Sequence, residues 1–403
     1  MRPPAPARSV AVLLALVGLP VPACSTPGSG STAAGSSTSS SPTSAPSSPP
    51  VSPGPAPGTP VDQQVDAVLA GLDRRAQVAQ LFVVGVPLDD LDAGDALVED
   101  GVGGVFLAGR SRAAAADLAA VTGRWAGAAP GPRPWVAIDQ EGGQVQALQG
   151  PGFERLPPAV EQGRLPPDRL AALAGELGAS LASAGITLDL APVADVVPAG
   201  TEAANDPIGA FGRQYGSTAA DVVPDVRTVV DGLAASGVTA TLKHFPGLGL
   251  VDANTDEAAG VVDPVTTADS EQVAAFGELA GSPAEPFVML SSATYPAIDP
   301  SAPATFSPAV IGTLLRGSLG FDGVVITDDV GAAAAFQDVP AGDRAVRFLE
   351  AGGTLVLTVD AGVWPTMADA VLARAEADPG FSATVDAAVR TALTAKARAG
   401  LLA

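Results

Sequence analysis

The side chains in this 403-residue chain that could do chemistry are few in kind and regular in placement. Its only histidine, His244, lies in KHFPGLGLVDANTD (243–256), directly after Lys243 and twelve residues before Asp256. Other charged residues close apolar runs: Asp139 and Glu141 in AIDQEGG, Asp195 in PVADV, Asp328 and Asp329 in ITDDV, and Asp360 in LTVD. Carboxylates gathered at one place can shuttle protons, attack an electrophilic carbon or accept bonds from vicinal hydroxyls. Singly, each has a plainer reading, because an aspartate after a strand often caps the helix that follows. That plainer reading is preferred for Asp329 and Asp360.

Composition narrows the choice. One Cys and one His are too few soft ligands for a zinc site, and no EF-hand-like spacing marks a calcium loop, so no metal or cofactor is expected. Lys+Arg 21 against Asp+Glu 43 gives a net charge of −22, which argues against nucleic acid or an anionic membrane surface as a partner. A monomer kept apart by self-repulsion is expected.

The elements that must carry these residues show in the pattern of the chain. Runs rich in Val, Ile, Leu and Phe recur at 80–86, 101–109, 134–143, 186–196, 238–247, 286–292, 323–329 and 352–360. Near-continuous apolar runs suit strands covered on both faces, as in parallel sheets. Ala/Leu-rich stretches with helical spacing lie between them, as at 112–127, 167–185 and 218–237. Strand and helix alternate about eight times, the count of an α/β (β/α)8 TIM barrel of roughly 250 residues or more. An open doubly wound sheet is less favoured, since no Gly-rich dinucleotide fingerprint follows the first strand. In a barrel the charged strand ends would share one mouth, which is where this fold does its chemistry.

The N-terminus reads as an address. Arg2 and Arg8 precede the short apolar run VAVLLALVGLPV (10–21), and VPAC (21–24) closes it. The run is too short to span a bilayer. Ala23 before Cys24 resembles a bacterial lipobox, so residues 1–23 are expected to be a lipoprotein-type signal peptide and Cys24 the lipidated residue. A plain secretory signal is the alternative. Residues 24–61, rich in Ser, Thr, Pro and Gly, cannot bury enough surface to offset their ordering entropy and read as a disordered tether. The folded part is then 62–403, exported and held by lipid on the outer face of the bacterial cell membrane.

AIDQEGGQVQAL (137–148), KHFPGLG (243–249) and GFDGVVITDDV (320–330) resemble the signatures of glycoside hydrolase family 3, in its single-barrel branch of bacterial β-N-acetylglucosaminidases (β-N-acetylhexosaminidases). QVAQLFVVG (77–85), GVGGVFLAGR (101–110), DLAPVADV (189–196), PATFSPAVIGTLLRGSLGFDG (303–323) and ALTAKARAGLL (392–402) agree in the same order. The resemblance covers essentially all of 62–403. It implies a retaining hydrolase in which Asp328 is the nucleophile and Asp139, Lys243 and His244 hold the sugar's hydroxyls, with Arg213 in GRQYG a further binding residue. The two carboxyl groups of a retaining site stand about 5–5.5 Å apart. The implied substrate is an oligosaccharide or a muropeptide-type fragment.

The departures are specific. Where the family's motif has two arginines after DQEGG, this chain has Gln144 and Ala147, and Leu248 replaces a second histidine in KHFPGLG. The branch's Asp-x-His pair, in which the histidine is the acid/base, is here Asn254 and Asp256. A carboxylic acid serves as a general acid when burial or a neighbouring negative charge raises its pKa. Asp256 is therefore expected to replace the histidine, with Asn254 as its hydrogen-bond partner and Glu257 as an alternative donor. The rival reading is a surface sugar-binding lipoprotein whose acid has been lost. A purely structural scaffold is a third.

Overall fold

The computed structural model describes residues 59–402. The signal peptide, Cys24 and residues 24–58 of the tether lie outside the described residues. The first described helix starts two residues before the expected boundary at 62. Helix Pro60–Gly71 is capped reciprocally: Thr59 Oγ1 accepts the Asp62 amide at 3.2 Å, and Asp62 accepts the Thr59 amide at 2.9 Å. Pro60 sits at the first helical position, where a missing N–H costs nothing.

Eight parallel strands form one sheet: β1 (Phe82–Pro87), β2 (Gly104–Ala108), β3 (Trp135–Ile138), β4 (Leu188–Asp189), β5 (Thr239–Phe245), β6 (Phe287–Leu290), β7 (Val325–Thr327) and β8 (Val356–Thr358). Each coincides with one of the eight apolar runs, β1 passing the end of its run by one residue, and their order around the sheet is β7-β6-β5-β4-β3-β2-β1-β8. Registers such as Phe82↔Val356, Val83↔Gly104 and Val325↔Val288 fix the neighbours. The bridge Ile326↔Leu355, with the Leu355 amide on Val325 O at 2.9 Å, joins β7 to the start of β8 and closes the ring. The fold is therefore the (β/α)8 barrel that the sequence pattern implies. Burial runs along whole strands, as parallel sheets covered on both faces require.

The returning helices include Ala115–Ala128, Pro167–Ser183 and Ala219–Ala234, within a few residues of the periodic stretches. Their buried faces follow helical spacing, as in Val222, Val226, Val229, Val230 and Leu233. At the chain's end, Pro379–Arg398 buries Val385, Val389 and Leu393. It also buries Lys396, whose Nζ donates to Gln80 Oε1 at 2.7 Å without any carboxylate beside it, so burial pushes that amine down to about 7.

One insertion positions the site. Directly after β3 the chain folds into an antiparallel hairpin, Gln140–Gly142 against Val145–Gln146. The turn uses Gly142 (φ 104°) and Gly143 (φ 56°), backbone conformations that a side chain disfavours. The Gln140 side chain fastens the hairpin by exchanging two 2.9 Å bonds with the backbone of Leu148.

Candidate active site

The strand ends bring together the charged residues singled out in the sequence. Lys243, at the end of β5, places its Nζ 2.7 Å from Asp139 Oδ1 and 2.6 Å from Glu141 Oε1. Glu141 is also gripped by Arg213, with Nε 2.9 Å from Oε2 and Nη2 2.8 Å from Oε1, a bidentate pair. Arg213 Nη1 donates to Pro207 O at 2.7 Å. The Lys243 and Glu141 side chains are only 3% and 4% exposed, so these pairs operate away from water. Burial alone would push Glu141 up, but Arg213 and Lys243 outweigh it and hold the carboxyl at about 2. Burial likewise opposes charge on Lys243, and Asp139 and Glu141 overcome it and raise the amine. Asp139 remains half-buried, its outer face open to the mouth.

His244 is fixed from the neighbouring strand end. Its Nδ1 lies 2.8 Å from Asp195 Oδ2, while Asp195 Oδ1 accepts the amides of His244 (3.1 Å) and Leu248 (2.7 Å). A carboxylate on Nδ1 makes that nitrogen the donor and leaves Nε2 as the free edge of the ring. Fully buried Asp195 thus sets both the ring and the start of the following loop.

Asp328 follows β7 and is half-buried, its Oδ1 accepting the Asp329 amide at 2.8 Å. Asp329 turns to the protein instead. Its carboxylate accepts the amides of Gly331, Val359, Ala332 and Ala333 at 2.8–3.1 Å. Asp360 accepts the Gly362 amide at 2.7 Å. Both hold backbone amides, but neither caps the helix that follows, whose caps are Ala333 and Val363.

The loop carrying Asp256 is pinned at its base by Asn205, whose amide donates to Leu248 O (2.7 Å) and Val251 O (2.8 Å). Its tip rests on the segment after β7: the Ala334 amide donates to Asp256 O at 3.0 Å, and the Ala335 amide to Thr255 O at 3.2 Å. Asn254 does bond Asp256, but through the backbone. Its Oδ1 accepts the Asp256 amide at 3.1 Å, so it shapes the loop and does not orient the carboxylate as expected. The short side chain, two residues before its partner, closes an Asx-type turn.

Asp256 is exposed at the loop tip, where the charges of the site act on it. The charge of Asp328 is the largest influence on it, then partial burial. Together they outweigh the opposite pull of His244 and Arg213 and raise its carboxyl to about 6. Its outer surface stays exposed to water, which screens these forces. Glu257 is exposed beside it. Among the positions that depart from the family motif, Gln144 is exposed at the hairpin tip, where its carbonyl receives Arg110 Nη2 at 2.7 Å. Ala147 and Leu248 are buried.

Two contributors went unassigned in the sequence, although both were seen at strand ends. Glu141 is the hub of the buried charge network, and Asp195 orients His244. The mouth they build is charged. A cavity of about 480 Å³ lies at the opposite end of the barrel, against the strand starts at Trp135, Thr239 and Phe287, away from these residues. Among the described residues no cluster of His, Cys, Asp and Glu could hold a metal ion.

Comparison with known proteins agrees with this geometry. The chain matches the Glycosyl hydrolase family 3 N terminal domain over residues 74–394. It is 34% identical over 290 residues to a beta-hexosaminidase of Xanthomonas campestris pv. campestris, covering 69% of this chain and 83% of that protein. The crystal structure of a beta-N-acetylhexosaminidase from Beutenbergia cavernae superposes with a TM-score of 0.78 at 48% identity, covering 81% of this chain and 99% of that one. A family 3 beta-N-acetylglucosaminidase from Paenibacillus aligns at 31% identity with a TM-score of 0.73, covering 82% of this chain and 63% of that one. With its acidic mouth at the strand ends and this match along the barrel, the chain is a member of glycosyl hydrolase family 3.

Proposed function

We propose that this protein is a retaining β-N-acetylhexosaminidase in which Asp328 is the nucleophile and Asp256 the acid/base. One observation carries the reading: the loop tip bearing Asp256 is bonded through Ala334 N–H to the segment that follows Asp328, a placement in which the charge of Asp328 favours the protonated form of Asp256. A retaining site needs such a pair, one member ionised to attack and one protonated to donate.

In the first step Asp328 attacks the anomeric carbon while Asp256 gives its proton to the departing glycosidic oxygen. The C–O bond to the leaving group breaks and an ester to Asp328 forms. In the second step ionised Asp256 takes a proton from water, which attacks the same carbon and releases the sugar with its original configuration. Asp139 and the ammonium of Lys243 serve as acceptor and donor for ring hydroxyls, and His244 offers Nε2. Arg213 has two N–H groups beyond its three bonds to Glu141 and Pro207. Ala147 offers no donor to the substrate, which narrows what this mouth grips on that side. The substrate class is a terminal N-acetylhexosamine on an extracellular or wall-derived oligosaccharide, met by a protein tethered through Cys24.

Trapping tests the chemistry. Incubation with a 2-fluoro mechanism-based glycoside is expected to place a covalent label on Asp328, read by peptide mass spectrometry. An unlabelled Asp328 in a protein that still binds N-acetylglucosamine means a sugar-binding lipoprotein and not an enzyme.

A further inference from the structure

Asp189 ends β4, in ITLDLAPV, and is completely buried. Its Oδ1 accepts the backbone N–H of Gln140 at 3.1 Å. Its Oδ2, equally buried, has no hydrogen-bond partner among the described residues. The amide it holds belongs to the residue between Asp139 and Glu141, the two carboxylates that clasp Lys243. Those two acids are balanced by Lys243 and Arg213, two charges against two. An ionised Asp189 would be an uncompensated charge with one oxygen unsolvated, which is far costlier than a neutral acid in the same place.

We propose that Asp189 is a positioning residue that works as a neutral carboxylic acid, anchoring the Gln140 amide, and with it Asp139 and Glu141, without adding a third negative charge near Lys243. The proposal builds on the hydrolase reading only in what Asp139 and Lys243 grip. The titratable and charged groups that act on Asp189 are Asp139 and Glu141 from the β3 end and its hairpin and Lys243 from β5, with Tyr215, whose hydroxyl bonds Gln162, from the segment after Arg213. Burial, with the charges of Asp139 and Glu141, pushes its carboxyl up to about 8 against the Gln140 bond and Lys243. Were the proton lost, Asp189 would compete with Asp139 for Lys243 and repel Asp139 and Glu141, loosening the grip.

Two variants and two measurements decide this. Asp189→Asn keeps the shape and has no proton to lose, whereas Asp189→Ala removes the anchor. In the unfolded chain the aspartate ionises near its ordinary ~3.9, so a folded-state proton stabilises the protein at low pH, and that contribution is lost as pH rises through about 8. The Tm of wild type should therefore fall relative to Asp189→Asn by at least about 3 °C between pH 5.5 and 9. Lys396, which titrates in this range with the opposite sign, is common to both and cancels. Calorimetric titration with N-acetylglucosamine should show the wild-type Kd rising about fivefold or more from pH 6 to 9, with less than a twofold rise in Asp189→Asn. Asp189→Ala should bind about tenfold more weakly throughout. A Tm difference that does not change with pH, or parallel Kd curves for wild type and Asp189→Asn, overturns the proposal. So does an Asp189→Asn that fails to fold where Asp189→Ala folds. Failure of wild type to bind the sugar at any pH counts against the hydrolase reading instead, and the Tm comparison still decides whether Asp189 holds its proton.

Discussion

The two sides of the mouth are held in opposite ways. On the side of β3 and β5, Asp139, Glu141, Lys243 and Arg213 lock one another through buried ion pairs, and His244 is fixed at two points by Asp195. On the side of β7, Asp256 rides on a loop held by backbone bonds from Ala334 and Ala335, with its outer surface in water. Buried charges tolerate no change of type, because each would leave a partner unpaired. A solvated loop tip does tolerate it. The Lys-His pair is accordingly intact, while an aspartate stands where the branch carries its histidine; the departures at buried Ala147 and Leu248 lie outside this contrast.

The largest expected effect tests the side that should be irreplaceable for chemistry. Asp328→Ala should lower kcat by on the order of 10⁴-fold or more in a turnover assay, since the proposed ester forms on that carboxylate. Retention of more than a tenth of the activity would move the nucleophile elsewhere. Next comes the buried network. Lys243→Met leaves the inward oxygen of Asp139 without its cation and Glu141 Oε1 with Arg213 alone, and should cost about 3–5 kcal/mol of stability in chemical denaturation. A cost below about 1 kcal/mol would mean that the locked side is no more rigid than the loop.

The third effect belongs to the solvated side. Asp256→Ala should reduce kcat/KM about 10²–10³-fold for a substrate with a poor leaving group, and far less for an activated aryl glycoside that needs no proton. Because the acid must be protonated and its carboxyl is raised to about 6, kcat/KM of wild type should fall as pH rises through about 6. The limb reports the Asp256–Asp328 pair together. It should vanish in Asp256→Ala, and a limb that persists assigns the proton to another group.

Much of this was legible in the sequence because the physics is local there. A strand buried on both faces must read as an apolar run, so all eight strands showed themselves, and a charged residue ending such a run is conspicuous. Helix Ala93–Glu99 and the hairpin after β3 did not, being too short to set a period. The partnerships were hidden for a different reason. Lys243 meets Asp139 across 104 residues and His244 meets Asp195 across 49, and nothing in either segment states the distance to the other. Asp189 went unremarked although it was visible, as a lone acid inside ITLDLAPV. A charge interrupting a buried strand has to be neutral or paired, and that signal was available. Asn254 is the hydrogen-bond partner of Asp256 that the sequence implies, but spacing does not say which atom takes part, and the bond goes to the backbone amide.

The smallest effect separates the loop's position from its chemistry. Ala333, with φ −57° and ψ 136°, already has the extended backbone that a following proline demands. Ala334→Pro therefore suits the backbone before it, and replaces the N–H that donates to Asp256 O at 3.0 Å with a ring carbon that pushes the loop tip away. A single such bond contributes about 0.5–1.5 kcal/mol. If it holds the loop over Asp328, kcat/KM should fall about three- to tenfold with a poor leaving group, while the Tm and the affinity for N-acetylglucosamine stay near wild type. Equal losses with poor and activated leaving groups would show that the contact supports the whole mouth. The two sides would then not be independent, because weakening the loop would also have loosened the buried grip on the sugar.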